Sequence, residues 1–279
     1  MRADPAMVTL KAALEEAAAA IGRIDAQVLV AHLLGVDRAY LVANPMRVLT
    51  ESEDARIDSL VARRSMGHPV AYLLGTREFH SRDFGVGPDV LIPRPETETL
   101  VEAALERLPR GASCVDLGTG CGAIGLTIAC ERPDARVTCT DASEQALQLA
   151  IANAAALGCA ARVDVRRGSW YEPIADERFD MIVSNPPYVA RGDPHLAQGD
   201  LRFEPAGALT DGSSDGLDSI RTIVAGARGH LERGGWLLFE HGYDQAEAVE
   251  ALLAAAGFAE RISIRDLAGI PRVAGGKII

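Results

Sequence analysis

Residues 182–188 read Ile-Val-Ser-Asn-Pro-Pro-Tyr, and the last four carry groups suited to holding an amide. Asn185 offers a side-chain oxygen as a hydrogen-bond acceptor. Pro186 and Pro187 have fixed φ and no N–H, so the turn is stiff and its carbonyls are left as acceptors. Tyr188 adds a flat ring against which a planar amide or base can lie. A turn of this kind grips both hydrogens of an –NH2 group. The nitrogen of an amide or exocyclic amine is a weak nucleophile because its lone pair is delocalised. Holding both N–H bonds aims that nitrogen and favours its pyramidalisation, and positioning of this sort can supply on the order of 7 kcal/mol. The chemistry this equipment suits is methylation of a planar nitrogen. The plain alternative is a proline-rich loop that only ends a strand.

A second candidate is the stretch Val115–Gly125, VDLGTGCGAIG. Glycines let a backbone turn tightly and approach a ligand, and a helix N-terminus follows. Residues 120–125, GCGAIG, match the dinucleotide pattern GxGxxG, and Gly118, Gly120 and Gly122 form a GxGxG core around Thr119 and Cys121. Asp141 closes the next apolar run, where an acid can accept hydrogen bonds from a ribose diol. Both features suit an adenosine-containing cofactor and leave NAD and S-adenosylmethionine open. Asp116 tilts the balance: an acid inside the turn repels a pyrophosphate and suits a cofactor with an amino-acid tail and a sulfonium charge.

These groups need a scaffold. From residue 112 onward, apolar runs (SCVDLG, RVTCT, RVDVRR, FDMIVS, GWLLFEH, RISIR, RVAGGKII) alternate with helical stretches such as AIGLTIACER, SEQALQLAIANAAALG and AEAVEALLAAAG. That alternation predicts a seven-stranded, mostly parallel, doubly wound α/β sheet. The last two runs are joined by a connection too short for a crossover helix, so the final strand is expected to run antiparallel to its neighbour. FDMIVS is the fourth strand, which places Asn185 at a carboxyl end facing the same crevice as the glycine loop.

The first ~75 residues read as a small helical bundle. Asp25 is a candidate cap, Gly35 a stop, and Thr50 with Glu53 a capping box. Residues 76–95, where Phe79, Phe84, Val86 and Val90 alternate around Gly and Asp, suggest a β-hairpin linker. Glu96 to Leu108 reads as an amphipathic helix opening the third segment, 96–279.

Composition narrows the function classes. The chain has 279 residues, 48% hydrophobic and 24% charged, ordinary values for a globular protein. No apolar run approaches a membrane span, and no secretory leader is evident, so a cytoplasmic protein without membrane association is expected. Five cysteines (114, 121, 130, 139, 159) lie in no CxxC pair, and six histidines show no HExxH, which argues against disulfides and metal. A net charge of −11 disfavours nucleic acid as a direct ligand; it suits a basic protein partner, though on charge alone plain solubility is the stronger reading.

DLGTGCGAIG together with SNPPYV resembles the class I S-adenosylmethionine methyltransferases that act on planar nitrogens. PVAYLLGTREF, LIPRPETE, DPHL, RFEPAGAL and GGWLLFEHG resemble, more closely, the bacterial N5-glutamine methyltransferases of peptide chain release factors. The resemblance covers nearly the whole chain. It implies a Rossmann-like methyltransferase domain with an N-terminal domain that helps recognise the release factor. It also implies S-adenosyl-L-methionine as cofactor and methyl transfer to the glutamine of a Gly-Gly-Gln loop; a monomer is expected. The cofactor loop falls on Gly118, Thr119, Gly120, Cys121 and Gly122, the ribose acid on Asp141, and a further cofactor contact on Trp170 in GSWYEP. Asn185, Pro186, Pro187 and Tyr188 would hold the glutamine, with Asn185 and Tyr188 as the catalytic pair and Asn185 also touching the cofactor. Alternative substrates are a glutamine of a ribosomal protein and adenine N6 in nucleic acid. The C-terminal GIPRVAGGKII is the least family-like part.

Other polar residues stay open between site and scaffold. Glu240 and His241 follow the fifth strand. His195 and Glu204 lie in the long segment after Tyr188, which could cover the substrate. Arg94 opens the helix bordering the pocket. Cys121 lacks a base partner and reads as a small filler.

Overall fold

Helix α1, Leu10–Ile21, starts where the Thr9 hydroxyl accepts from the Ala12 amide at 3.3 Å. The computed structural model describes residues 8–279, so the first seven residues of the expected 1–75 segment lie outside the described residues. Helix α2, Arg23–Leu34, is capped by Gly22 and ends at Gly35 in the left-handed region. Asp25 therefore sits inside the first turn rather than at the cap, and its carboxylate accepts from Arg64 Nε at 2.7 Å. Helix α3, Arg38–Ala43, is capped by Asp37. Helix α4, Glu51–Ser65, opens on the expected Thr50–Glu53 capping box. Helix α5 spans Val70–Leu74. Leu10, Ala13, Val30, Leu41, Leu49 and Ile57 make the core of this unit, which runs to Gly75.

The second compact unit is Thr76–Ile279. It begins with a hairpin of β1, Thr76–Phe79, and β2, Arg82–Gly85. The two turn residues, His80 and Ser81, both have positive φ, the geometry that matches the twist of paired strands. Phe79 and Phe84 meet edge to face with centroids 6.0 Å apart. The strands occupy only the first half of the expected 76–95 stretch, and the hairpin belongs to the same unit as the large sheet.

Helix α6, Glu98–Arg107, follows a 3-10 turn at Pro95–Thr97. The expected start at Glu96 is displaced because Pro95 and the turn delay the regular helix. Next come β3, Ser113–Leu117, α7, Ala123–Glu131, β4, Arg136–Asp141, α8, Glu144–Ala156, and β5, Val163–Arg167. The chain returns to β6, Phe179–Ser184, then α9, Ala206–Leu209, α10, Asp218–His230, β7, Leu231–Glu240, α11, Ala246–Ala255, β8, Ala259–Arg265, and β9, Pro271–Lys277. The seven-stranded order is β5-β4-β3-β6-β7-β9-β8. Strands β3 to β7 pair in parallel, and β9 inserts antiparallel to both β7 and β8. The winding reverses between β3 and β6, so the crevice beyond their carboxyl ends is where ligands sit in open α/β sheets. The central strands are apolar along their length because both faces are covered. On one face Val115, Ile182, Leu237 and Phe239 pack with Ile220, Ile223 and Val224 of α10 and Val249 and Leu253 of α11.

Candidate functional site

Strand register assembles the site. Leu117 lies beside Thr140 and Ser184, and Ser184 beside Phe239. The residues that follow these positions, Gly118, Asp141, Asn185 and Glu240, therefore emerge at one edge of the sheet. The Ser184 hydroxyl donates to the Leu117 carbonyl at 2.7 Å, which fixes the two strand ends against each other. A cavity of about 370 Å³ opens there, within the size range of small-molecule sites.

The glycine loop forms one wall. Gly118, Gly120 and Gly122 have φ of 72°, 57° and 90°, conformations that a side chain would strain. The Gly118 and Thr119 amides both donate to the Thr140 carbonyl at 2.9 Å. The Gly120 amide donates to Asp141 Oδ2 at 2.9 Å, and the Ser143 amide donates to Asp141 Oδ1 at 2.8 Å. A carboxylate has about four acceptor positions, so Asp141 keeps capacity on the cavity side. Gly118, Thr119, Gly120, Cys121 and Asp141 line the cavity, as does Trp170, itself at positive φ. Gly122 does not line it. A Cβ there would come within 2.6 Å of Leu126 Cδ1, so this glycine serves the turn into α7. Burial pushes the Cys121 thiol up to about 12, which keeps it protonated and unfit as a nucleophile.

Asp116 departs from its expected place facing a cofactor. It is fully buried beneath the loop and does not line the cavity. Its Oδ2 accepts from the Thr119 hydroxyl at 2.6 Å and the Gly125 amide at 2.9 Å, while Oδ1 has no partner among the described residues. Burial pushes its pKa up to about 6. The sequence pattern marks an acid in the turn, but only the inward pleat of β3 decides that it braces the loop from below.

Asn185 and Pro187 reach the cavity from the opposite wall. Pro186 is buried in the turn and Tyr188 does not line the cavity. The Tyr188 hydroxyl donates to Glu240 Oε1 at 2.9 Å, and burial raises the phenol well above its ordinary value. The Thr97 hydroxyl donates to Glu240 Oε2 at 2.6 Å, and Asn185 Nδ2 donates to Thr97 Oγ1 at 3.2 Å. Burial raises Glu240, while the hydrogen bonds from Thr97 and Tyr188 and the nearby Arg272 charge oppose that rise. Glu240 thus stands behind the site.

Thr97 lies inside the quoted LIPRPETE segment, but nothing in its residue type singles it out. Asn153 is likewise silent in the sequence. Buried on α8, it donates to the carbonyls of Cys121 at 2.8 Å and Gly85 at 3.1 Å, and accepts from the Gly85 amide at 2.8 Å. It ties the glycine loop to the hairpin. Arg94 lines the cavity and pairs with Glu204, whose Oε2 also accepts from the Ile92 amide at 3.0 Å. Through that pair the segment after Tyr188 is held over the site, and Pro205 and Ala208 line the cavity. His241 is buried with a ring nitrogen donating to the Gly242 carbonyl at 2.8 Å, and His195 is exposed beside Asp193. Neither lines the cavity. Among the described residues no cluster of His, Cys, Asp or Glu could hold a metal ion, and no helix is long and apolar enough to cross a membrane.

Comparison with known proteins gives concordant results. The Methyltransferase small domain family model matches residues 95–206, and the PrmC N-terminal domain model matches residues 6–75. Among solved structures, a methyltransferase from Pyrococcus furiosus superposes with a TM-score of 0.54 at 16% identity, covering 80% of this chain and 98% of that one. A T. thermophilus 16S rRNA methyltransferase in complex with AdoMet and guanosine gives 0.53 at 21% identity, covering 73% and 50%. At these identities the likeness speaks for the fold. Sequence relatives are much nearer. A release factor glutamine methyltransferase of Xylella fastidiosa is 50% identical over 98% of each chain. Those of Bordetella pertussis and Burkholderia pseudomallei are each 52% identical, over 91% and 94% of this chain and 94% of theirs. Half the residues are shared from the helical unit through to the end of the sheet, so the chain belongs to the release factor glutamine methyltransferase family.

Proposed function

We propose that this protein transfers a methyl group from S-adenosylmethionine to the side-chain amide nitrogen of a glutamine in a peptide chain release factor. The observation that carries the proposal is the arrangement of the cavity walls. The Asn185 amide stands on one side, and the glycine loop with Asp141 on the other. The residues present fit an adenosyl group. Gly120 has nothing within 4 Å of where a Cβ would stand, Asp141 has acceptor capacity for a diol, and Trp170 and Ile124 supply apolar surface. When bound there, S-adenosylmethionine supplies an electrophilic methyl on a sulfonium.

This chain's residues do the positioning. Asn185 Oδ1 and a backbone carbonyl of the Pro186–Pro187 turn accept the two amide hydrogens of the glutamine, which turns its nitrogen lone pair toward the methyl. With S-adenosylmethionine held by the glycine loop and Asp141, the methyl would pass to that nitrogen, its bond to sulfur breaking as the bond to nitrogen formed, and the nitrogen would then lose one proton to solvent. Pro187, Pro205 and Ala208 cover the reacting atoms and restrict water. No base is required, because the nitrogen becomes acidic once it carries the methyl. The helical unit before Gly75 is assigned to recognition of the release factor, and the net charge of −11 suits a basic partner surface.

The test is mass analysis of a release factor incubated with enzyme and S-adenosylmethionine. One added methyl on the glutamine is the expected result, and transfer only to ribosomal protein or nucleic acid refutes the assignment. Asn185→Ala is expected to lower kcat by roughly 10²–10³-fold with little change in cofactor affinity. Asp141→Ala is expected to weaken cofactor binding in calorimetry by roughly tenfold or more. Unchanged affinity removes Asp141 from the cofactor site.

A further inference from the structure

We propose that Thr97 is a positioning residue that sets the rotation of the Asn185 carboxamide, presenting its oxygen and not its NH2 group to the substrate. The inference rests on a glutamine carboxamide as the methyl acceptor. The oxygen and nitrogen of an asparagine amide have nearly the same shape, so packing alone does not choose between the two orientations. Proton counting chooses. Both oxygens of buried Glu240 are used as acceptors, one from the Tyr188 phenol and one from the Thr97 hydroxyl. A threonine hydroxyl has a single proton. With that proton committed to Glu240 at 2.6 Å, Thr97 Oγ1 can only accept from Asn185. The atom at 3.2 Å must then be the NH2 nitrogen, and Oδ1 is left for the cavity, which both Asn185 and Thr97 line.

The arrangement is held from both ends. Thr97 is 3% exposed and Glu240 1%, so water does not compete for these bonds. Thr97 closes the 3-10 turn Pro95–Thr97. The residues just before that turn are anchored by the Arg94–Glu204 pair and by the Ile92 amide donating to Glu204. A turned-over Asn185 would place two donors against the two donors of a substrate NH2 group. It would instead favour a carboxylate. The hydroxyl of Thr97 is therefore a specificity device for amide over acid.

The test compares the full-length wild type with Thr97→Val, which keeps the shape and loses the hydroxyl, and Thr97→Ser, which keeps the hydroxyl and loses a methyl. Thr97→Ala is a second hydroxyl-free variant should Thr97→Val fail to fold by thermal melting. The probes are S-adenosylmethionine, a Gly-Gly-Gln peptide as substrate and the matching Gly-Gly-Glu peptide as competitor. Thr97→Val and Thr97→Ala are expected to lose roughly 10- to 100-fold in kcat/KM, with cofactor affinity in calorimetry retained. Thr97→Ser is expected to recover most of that loss. The glutamate peptide, a poor competitor of the wild type, is expected to gain on the glutamine peptide by roughly tenfold in Thr97→Val. A purely structural role predicts the opposite order, with valine tolerated and serine impaired, and that order overturns the proposal. So does a folded Thr97→Val with unchanged discrimination between the two peptides. A wild type that methylates no glutamine substrate overturns the proposed function as well, which separates the two failures.

Discussion

Asp116 and Glu240 are both buried carboxyls behind the same cavity, yet the protein treats them differently. Glu240 has a hydroxyl donor on each oxygen. Asp116 leaves Oδ1 without a partner among the described residues, and its pKa rises to about 6. A carboxyl whose pKa is raised on folding holds its proton more tightly in the folded state. Its contribution to stability is complete below the unfolded value and fades as pH climbs through the folded one. From an aspartate's ordinary 3.8 to about 6, the loss comes to about 3 kcal/mol. Asp116→Asn removes that dependence. Its stability relative to wild type is expected to rise by about 2 kcal/mol between roughly pH 4 and pH 7, checked by urea unfolding at both values. A difference that stays flat with pH would mean that Asp116 is ionised throughout.

At the scale of elements, the cavity depends on how β3 hands over to α7. Three glycines at positive φ carry the chain from the strand to the helix, and Asn153 of α8 holds the Cys121 carbonyl. Gly122 is the least replaceable of them, because its φ of 90° and the 2.6 Å approach of Leu126 act together. Gly122→Ala is expected to cost about 1–3 kcal/mol in denaturant unfolding. A smaller effect would show that Leu126 can move aside. The loop was legible in the sequence because glycine at this density has few other uses. Asn153 was not legible. An asparagine within an alanine-rich helix looks like any surface polar residue, and only the packing of hairpin against α8 makes it a three-bond clamp. The same holds for Arg94 and Glu204, 110 positions apart, whose pairing no local pattern announces.

For the whole molecule, the chain divides after Gly75. The second unit has its own core under the sheet and contains every residue that lines the cavity. A fragment of residues 76–279 is therefore expected to fold, by circular dichroism, and to bind S-adenosylmethionine as the full chain does. If the helical unit recognises the partner, the fragment methylates a short glutamine peptide normally. Its kcat/KM on an intact release factor then falls by roughly tenfold or more, since binding energy from parts of a substrate remote from the reacting group contributes to kcat/KM. Equal losses on peptide and protein would argue that the helical unit supports the site and not recognition.

The amino-acid sequence by itself determined the alternation of strands and helices, the capping box at Thr50, the glycine turn and the stiff corner at Asn185–Tyr188. Each is a short-range pattern, set by hydrophobic period and by the backbone preferences of Gly and Pro. Only the tertiary structure decided which way the polar groups face. It turned Asp116 under the loop and carried Tyr188 back to Glu240. It also brought Thr97, from before α6, against Asn185 after β6. Those outcomes depend on strand register and on hydrogen-bond partners tens of residues away, and a buried polar group takes its orientation from the partner that satisfies it.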